Sequence, residues 1–133
     1  MINNLIVSWC TTQNTYEETV CNVVEALGLV GRLAKAACEQ PTMAEFYERE
    51  TGHSLAIGLG RVDTVLTYQR STDPPYFISQ GSSRIAGTVS FCYGNESSEY
   101  LASNVVPMSD GLEALRYFVE YRMKPPTIQW EEL

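Results

Sequence analysis

The sequence predicts an α+β domain: a twisted, mainly antiparallel β-sheet with N-terminal helices and a C-terminal helix packed on one face, closed by a tryptophan-containing terminal strand. Three observations predict it. Apolar residues at helical spacing are confined to a stretch before residue 40 and another after residue 109. Between them the apolar period falls to two, broken repeatedly by glycine and proline. Strands segregated from helices in this way give an α+β layering, not alternating βα units.

Leu5 to Cys10 is a short apolar run rich in β-formers and reads as the first strand. Thr15-Tyr16-Glu17-Glu18 has the form of a capping box, with Val20, Val23, Val24 and Leu27 behind it at helical spacing, which predicts a helix over 16–27. Gly28 and Gly31 weaken its continuation, while Leu29, Leu33 and Ala37 suggest a second helical piece ending near Glu39, ahead of Pro41. Thr42–Arg49 lies between a helical turn and a strand, with the strand favoured. Thr51-Gly52 reads as a turn.

Ser54–Gly58 and Val62–Gln69 are strand candidates joined at Gly60-Arg61. Val62, Thr64, Leu66 and Tyr68 alternate with Asp63, Val65 and Thr67, as a sheet with one better-buried face requires. Asp73-Pro74-Pro75 breaks the pattern before a short strand at Tyr76–Ser79. Gly81-Ser82-Ser83 is another turn, Arg84–Tyr93 a longer strand, Gly94–Ser98 a loop and Tyr100–Val106 the last long strand. Ser109 or Asp110 then caps an amphipathic helix whose stripe is Leu112, Leu115, Phe118, Val119 and Met123. Pro125-Pro126 ends it, and Thr127–Trp130 is extended and free to return to a sheet edge.

At 133 residues the chain is expected to be one domain, 1–133, long enough to fold without staples or metal. No stretch approaches the ~20 apolar residues of a membrane span, and Met1-Ile2-Asn3-Asn4 lacks the basic flank of a signal peptide, so a cytoplasmic location is expected. The four cysteines, at 10, 21, 38 and 92, include no Cys-x-x-Cys pair and read as free thiols in or near a core. The net charge of −7 is spread along the chain: residues 1–66 hold four basic and eight acidic groups, residues 67–133 five and eight. A field of this sign disfavours nucleic acid and speeds encounter with a basic partner, though it serves solubility equally well.

Catalytic patterns are scarce. His53 is the single histidine and sits beside a turn, where surface or hydrogen-bonded core is the ordinary role. Gly58-Leu59-Gly60 opens like a dinucleotide fingerprint, but Asp63 stands at the third glycine position and no helix follows. Asn95-Glu96-Ser97 is a formal glycosylation sequon with only the meaning of a polar loop. No cofactor or metal is expected, and no enzyme activity. What remains is a surface of tyrosine and carboxylate: Asp63, Asp73, Tyr76, Glu96, Glu99 and Tyr100 are the candidate partner-binding residues. Tyrosine gives large contact area at low entropy cost and carboxylates pair with arginine or lysine; the same residue types also suit an ordinary solvated surface.

Four stretches carry a family likeness. They are Ser54–Gly60 with Val65–Tyr68, Pro75–Gly81, Val89–Gly94, and an ending in which Val105-Val106-Pro107 leads to Ala114–Phe118, Pro125-Pro126, Ile128 and Trp130–Leu133. In this order and spacing the chain resembles the bacterial polymorphic-toxin immunity proteins of family 1, commonly encoded beside deaminase-type toxin domains. Residues 1–50 match loosely, and Gly28–Gln40 is longer than that family suggests. The resemblance implies a protein that binds a cognate toxin, a nucleobase deaminase, and covers its active site. It implies neither nucleic-acid nor membrane binding, and a monomer is expected. A small-molecule-binding or regulatory α+β domain is the alternative. Trp130, with Tyr68 and Gly81, is expected to be structural, its indole covering one end of the core while its N–H finds an acceptor.

Overall fold

The computed structural model describes residues 4–11, 13–82 and 86–133. The strands are β1 (Leu5–Cys10), β2 (Thr15–Val20), β3 (Thr42–Tyr47), β4 (Ser54–Leu59), β5 (Asp63–Thr64), β6 (Leu66–Gln69), β7 (Tyr76–Ser79), β8 (Thr88–Tyr93), β9 (Glu96–Leu101), β10 (Val106–Pro107) and β11 (Trp130–Glu132). The helices are α1 (Val23–Ala36) and α2 (Met108–Tyr121), with a 3-10 turn at Ala102–Asn104.

The main sheet runs β11-β7-β6-β4-β3-β1-β2, every pairing antiparallel. The β8–β9 hairpin joins it through one parallel bridge, Thr42 to Cys92, and β5 pairs with β10 as a separate ribbon. The α+β class, the meander and the return of the Trp130 strand to a sheet edge, here β7, match the sequence expectation.

Several elements differ from it. Thr15–Val20 is a strand, not the start of a helix: Tyr16, Glu18 and Val20 alternate with Thr15, Glu17 and Thr19, and all six residues lie opposite β1. The cap sits seven residues later, where Asn22 Oδ1 accepts from the Glu25 amide at 2.9 Å and Glu25 Oε1 accepts from the Cys21 amide at 2.8 Å. One helix then runs through Gly28 and Gly31, both exposed, so neither position demands a packing side chain.

The strand expected over 62–69 is split at Val65, which turns into the opposite core while Val62 is 88% exposed. Glu96–Ser98 belongs to β9, because the connection is a two-residue turn, Gly94-Asn95, with positive φ at both positions. The strand expected over 100–106 ends at Leu101. That expected over 84–93 begins at Thr88; Arg84 and Ile85, like Ser83 of the neighbouring turn, lie outside the described residues. Pro107, not Ser109 or Asp110, holds the N-cap of α2, and Asp110 instead lies in the first turn, where its charge suits the helix dipole. Met123 follows the helix and is exposed.

Two apolar layers lie on either side of the sheet. On one, Leu5, Val7, Ala44, Phe46, Leu55, Ile57, Leu59, Leu66 and Tyr68 pack against Ala26, Leu29, Val30 and Leu33 of α1 and Ala114, Leu115, Phe118 and Val119 of α2. On the other, Met43, Ala56, Val65 and Ile78 pack under Phe91, with Val89, Tyr93 and Tyr100 around it. A Cβ on Gly58 would stand 2.6 Å from the Phe91 ring, so the bare backbone there lets β8 close on the sheet. Cys10 and Cys92 are buried, while Cys21 and Cys38 are exposed.

Candidate functional site

Directly opposed residues of an antiparallel sheet share a face. The registers therefore define a row across six strands on the face away from the helices: Thr19, Ile6, Tyr47, Ser54, Gln69 and Tyr76. Beside it runs a second row, Glu17, Ser8, Glu45, Ala56, Thr67, Ile78 and Glu131. The hairpin covers Ala56 and Ile78, whereas Ile6, Ser8, Glu45, Tyr47, Thr67, Gln69 and Tyr76 are only half-buried and Glu17 and Thr19 are exposed. The helix-free face is thus half covered and half open. Its open half presents tyrosines and carboxylates on a hydrogen-bonded ladder that cannot shift without breaking pairs.

Tyr93 Oη donates to Glu45 Oε2, tying the hairpin to this face. Burial, then the Glu45 charge, raises the Tyr93 phenol well above the ordinary tyrosine range, so the hydroxyl stays a donor. Tyr100 packs edge-on to Phe91 at 6.1 Å, and burial raises its phenol too.

Of the sequence-predicted partner-binding residues, Glu96, Glu99 and Tyr100 lie on β9, Asp73 in the β6–β7 turn, Tyr76 at the start of β7, and Asp63 on β5. Asp63, Asp73, Glu96 and Glu99 are exposed. Tyr76 is half-buried, its hydroxyl donating to the Thr72 carbonyl. Only Tyr76 among them stands in the open cross-strand row. Sequence reasoning missed Glu17, Glu45, Tyr47 and Gln69; period-two alternation could have found them once the helix-facing side was known.

The lone histidine is held in structure. His53 Nδ1 lies 2.9 Å from the Arg122 carbonyl, which can only accept, and 3.2 Å from Tyr68 Oη. Tyr68 gathers the rings of His53, Phe77, Phe118 and Trp130 at 6.0–6.3 Å. Burial raises the Tyr68 phenol against the opposing pull of Arg70. The Trp130 indole donates to the Pro125 carbonyl at 2.7 Å. At Gly81 a Cβ would stand 2.1 Å from the Val105 carbonyl oxygen, and the Gly81 amide donates to the Ser103 carbonyl at 2.8 Å. Arg61 donates twice to the Ser90 carbonyl and lies over the Phe91 ring, so its charge is spent on the hairpin.

Among the described residues, no three His, Cys, Asp or Glu side chains gather as metal ligands, and no helix is long and apolar enough to cross a membrane. The family model described as Immunity protein Imm1 matches residues 12–132. The chain belongs to this family. An Imm1 protein is an immunity protein of polymorphic toxin systems, so a cognate toxin is the partner its surface must meet. The Imm1 match takes in β2 and α1 as well as the carboxyl-terminal stretches that carried the resemblance. No curated protein matches the chain.

Proposed function

We propose that this Imm1 protein neutralises its toxin without turnover, by laying the open half of the helix-free face and the exposed side of β9 over the toxin's active site. One observation supports this best: in a chain of an immunity family, a rigid, half-open sheet face carries tyrosines and carboxylates side by side. The toxin on this reading is a basic, nucleic-acid-acting domain, a nucleobase deaminase. Such an enzyme must admit a nucleotide into a confined pocket, and an acidic surface at its mouth excludes substrate by bulk and by charge. Asp63, Asp73, Tyr76, Glu96, Glu99 and Tyr100, with Glu17, Glu45 and Tyr47, form the contact set. The protein acts as a cytoplasmic monomer and contacts neither nucleic acid nor membrane.

Co-expression tests it. Cells making the adjacently encoded toxin domain die without this chain, survive with it, and yield the two as a copurifying complex that no longer deaminates a single-stranded oligonucleotide. Survival without this chain, or a complex that retains full deaminase activity, overturns the reading.

A further inference from the structure

The sheet ends on β2, six residues long and paired on one side only, with β1. Every second residue of such a strand turns its N–H and C=O outward, and among the described residues those outward groups of β2 have no partner. Most sheet edges are blunted against pairing. Here the blunting device is charge of one sign: Glu17 and Glu18 are consecutive, so one carboxylate stands on each face of the strand, both exposed. Two copies of β2 placed edge to edge would bring like charges together, which disfavours self-association. A basic strand meets the opposite situation on both faces.

Beside the edge the molecule keeps open space. Trp9 and Tyr16 stack at 5.8 Å and, with Leu33, Ala36 and Ala37, line a mainly apolar cavity of about 360 Å³. Further along the same strand, residues 18–20 line a second hollow together with Glu25, Gly28 and Leu29 of the helix side. Arg32 lines both and holds Glu18 at 3.2 Å in an exposed pair, which an incoming cation can exchange for its own.

From these features we infer that the toxin contributes an extended, lysine- or arginine-bearing segment that adds to β2 as a further strand of the sheet, with one apolar side chain seated against Trp9 and Tyr16. This rests on the immunity reading and deepens it. Backbone pairing supplies affinity that does not depend on side-chain identity, and the alternating pockets and charges supply choice of partner. Glu17 and Thr19 belong both to this edge and to the open rows, so strand addition and face contact form one continuous surface.

The test uses the full chain and the toxin domain encoded beside it, inactivated in its own active site. Two measurements are made: amide hydrogen exchange of the free and bound protein, and affinity of a Glu17→Lys/Glu18→Lys variant. Outward amides of β2 gain protection on binding, and the double variant binds about 30-fold more weakly. A Glu113→Lys/Glu120→Lys variant on the exposed side of α2 shifts affinity far less, separating local pairing from general attraction. If the toxin binds but β2 exchanges as in the free protein and the double variant binds normally, strand addition is overturned and the immunity reading stands. If no toxin binding occurs at all, the immunity reading itself falls. Dimerisation of the protein alone through β2 would give the edge to a second copy and also overturn the inference.

Discussion

Arg122 Nη1 lies 2.5 Å from Glu48 Oε2, with the two side chains 13% and 7% exposed. This pair joins the β3–β4 turn to the end of α2, and Thr51 donates to the other Glu48 oxygen at 2.7 Å. Arg122 also closes the helix in the left-handed region, with φ 55°. Removing the guanidinium strands a buried carboxylate. Arg122→Ala is therefore expected to cost about 3–5 kcal/mol in urea unfolding. Arg122→Gly loses the same pair but adopts positive φ freely, and should be the milder variant by about 1 kcal/mol. Equal stability of the alanine variant and wild type would show that the pair contributes nothing.

Cys10 and Cys92 place their sulfurs 3.2 Å apart in the core. Burial, then the neighbouring Cys10, pushes the Cys92 thiol up to about 11. A hydrogen bond to Glu25 raises the exposed Cys21 thiol. Because the thiolate is the nucleophile, iodoacetamide at pH 8 should alkylate Cys38 first, Cys21 more slowly, and Cys10 and Cys92 only after unfolding. Peptide mass spectrometry over time reads this order, and rapid native labelling of Cys92 contradicts it.

Trp130 is proposed to be structural, through its indole hydrogen bond and its contact with Tyr68. Trp130→Ala should lower stability by about 3 kcal/mol, and Trp130→Phe, which keeps a ring, by roughly half as much. Toxin binding at saturating concentration should be retained by the phenylalanine variant. Loss of binding with stability intact would reassign the residue to the interface.

Gly58 and Phe91 are predicted to be coupled. Gly58→Ala drives a methyl into the ring and should cost about 1–3 kcal/mol. Phe91→Leu removes the colliding ring edge, so the double variant should lose less stability than the sum of the two single losses. Simple additivity in urea melts would mean that the hairpin yields elsewhere.

The exposed carboxylates Asp63, Asp73, Glu96 and Glu99 should govern encounter. Neutralising each to its amide is expected to slow toxin association and flatten its salt dependence, while Tyr76→Ala should mainly speed dissociation. Stopped-flow binding at two ionic strengths separates the cases. Unchanged association for all four amide variants would remove them from the interface.

Periodicity made the meander and α2 legible, since Leu55, Ile57 and Leu59, and likewise Leu115, Phe118 and Val119, each repeat at the spacing of their element. The amino-terminal hairpin is not legible locally, because Thr15-x-x-Glu18 satisfies a helix-capping pattern and a strand alternation equally. Pairing with β1 and the Trp9–Tyr16 stack decide between them, and both contacts reach outside the Thr15–Glu18 pattern itself. The surface is legible in residue type alone: tyrosine and carboxylate stand out in composition, but that Tyr47 and Glu45 reach the open face follows only from the strand register.

What the sequence by itself determined is the α+β class, the acidic charge and the family ending at Trp130, because each depends on composition, period or order along the chain. Only the tertiary structure decided which sheet face stays open and which strand is left as an edge. Those follow from where α1, α2 and the β8–β9 hairpin pack, and packing is settled by contacts between residues tens of positions apart.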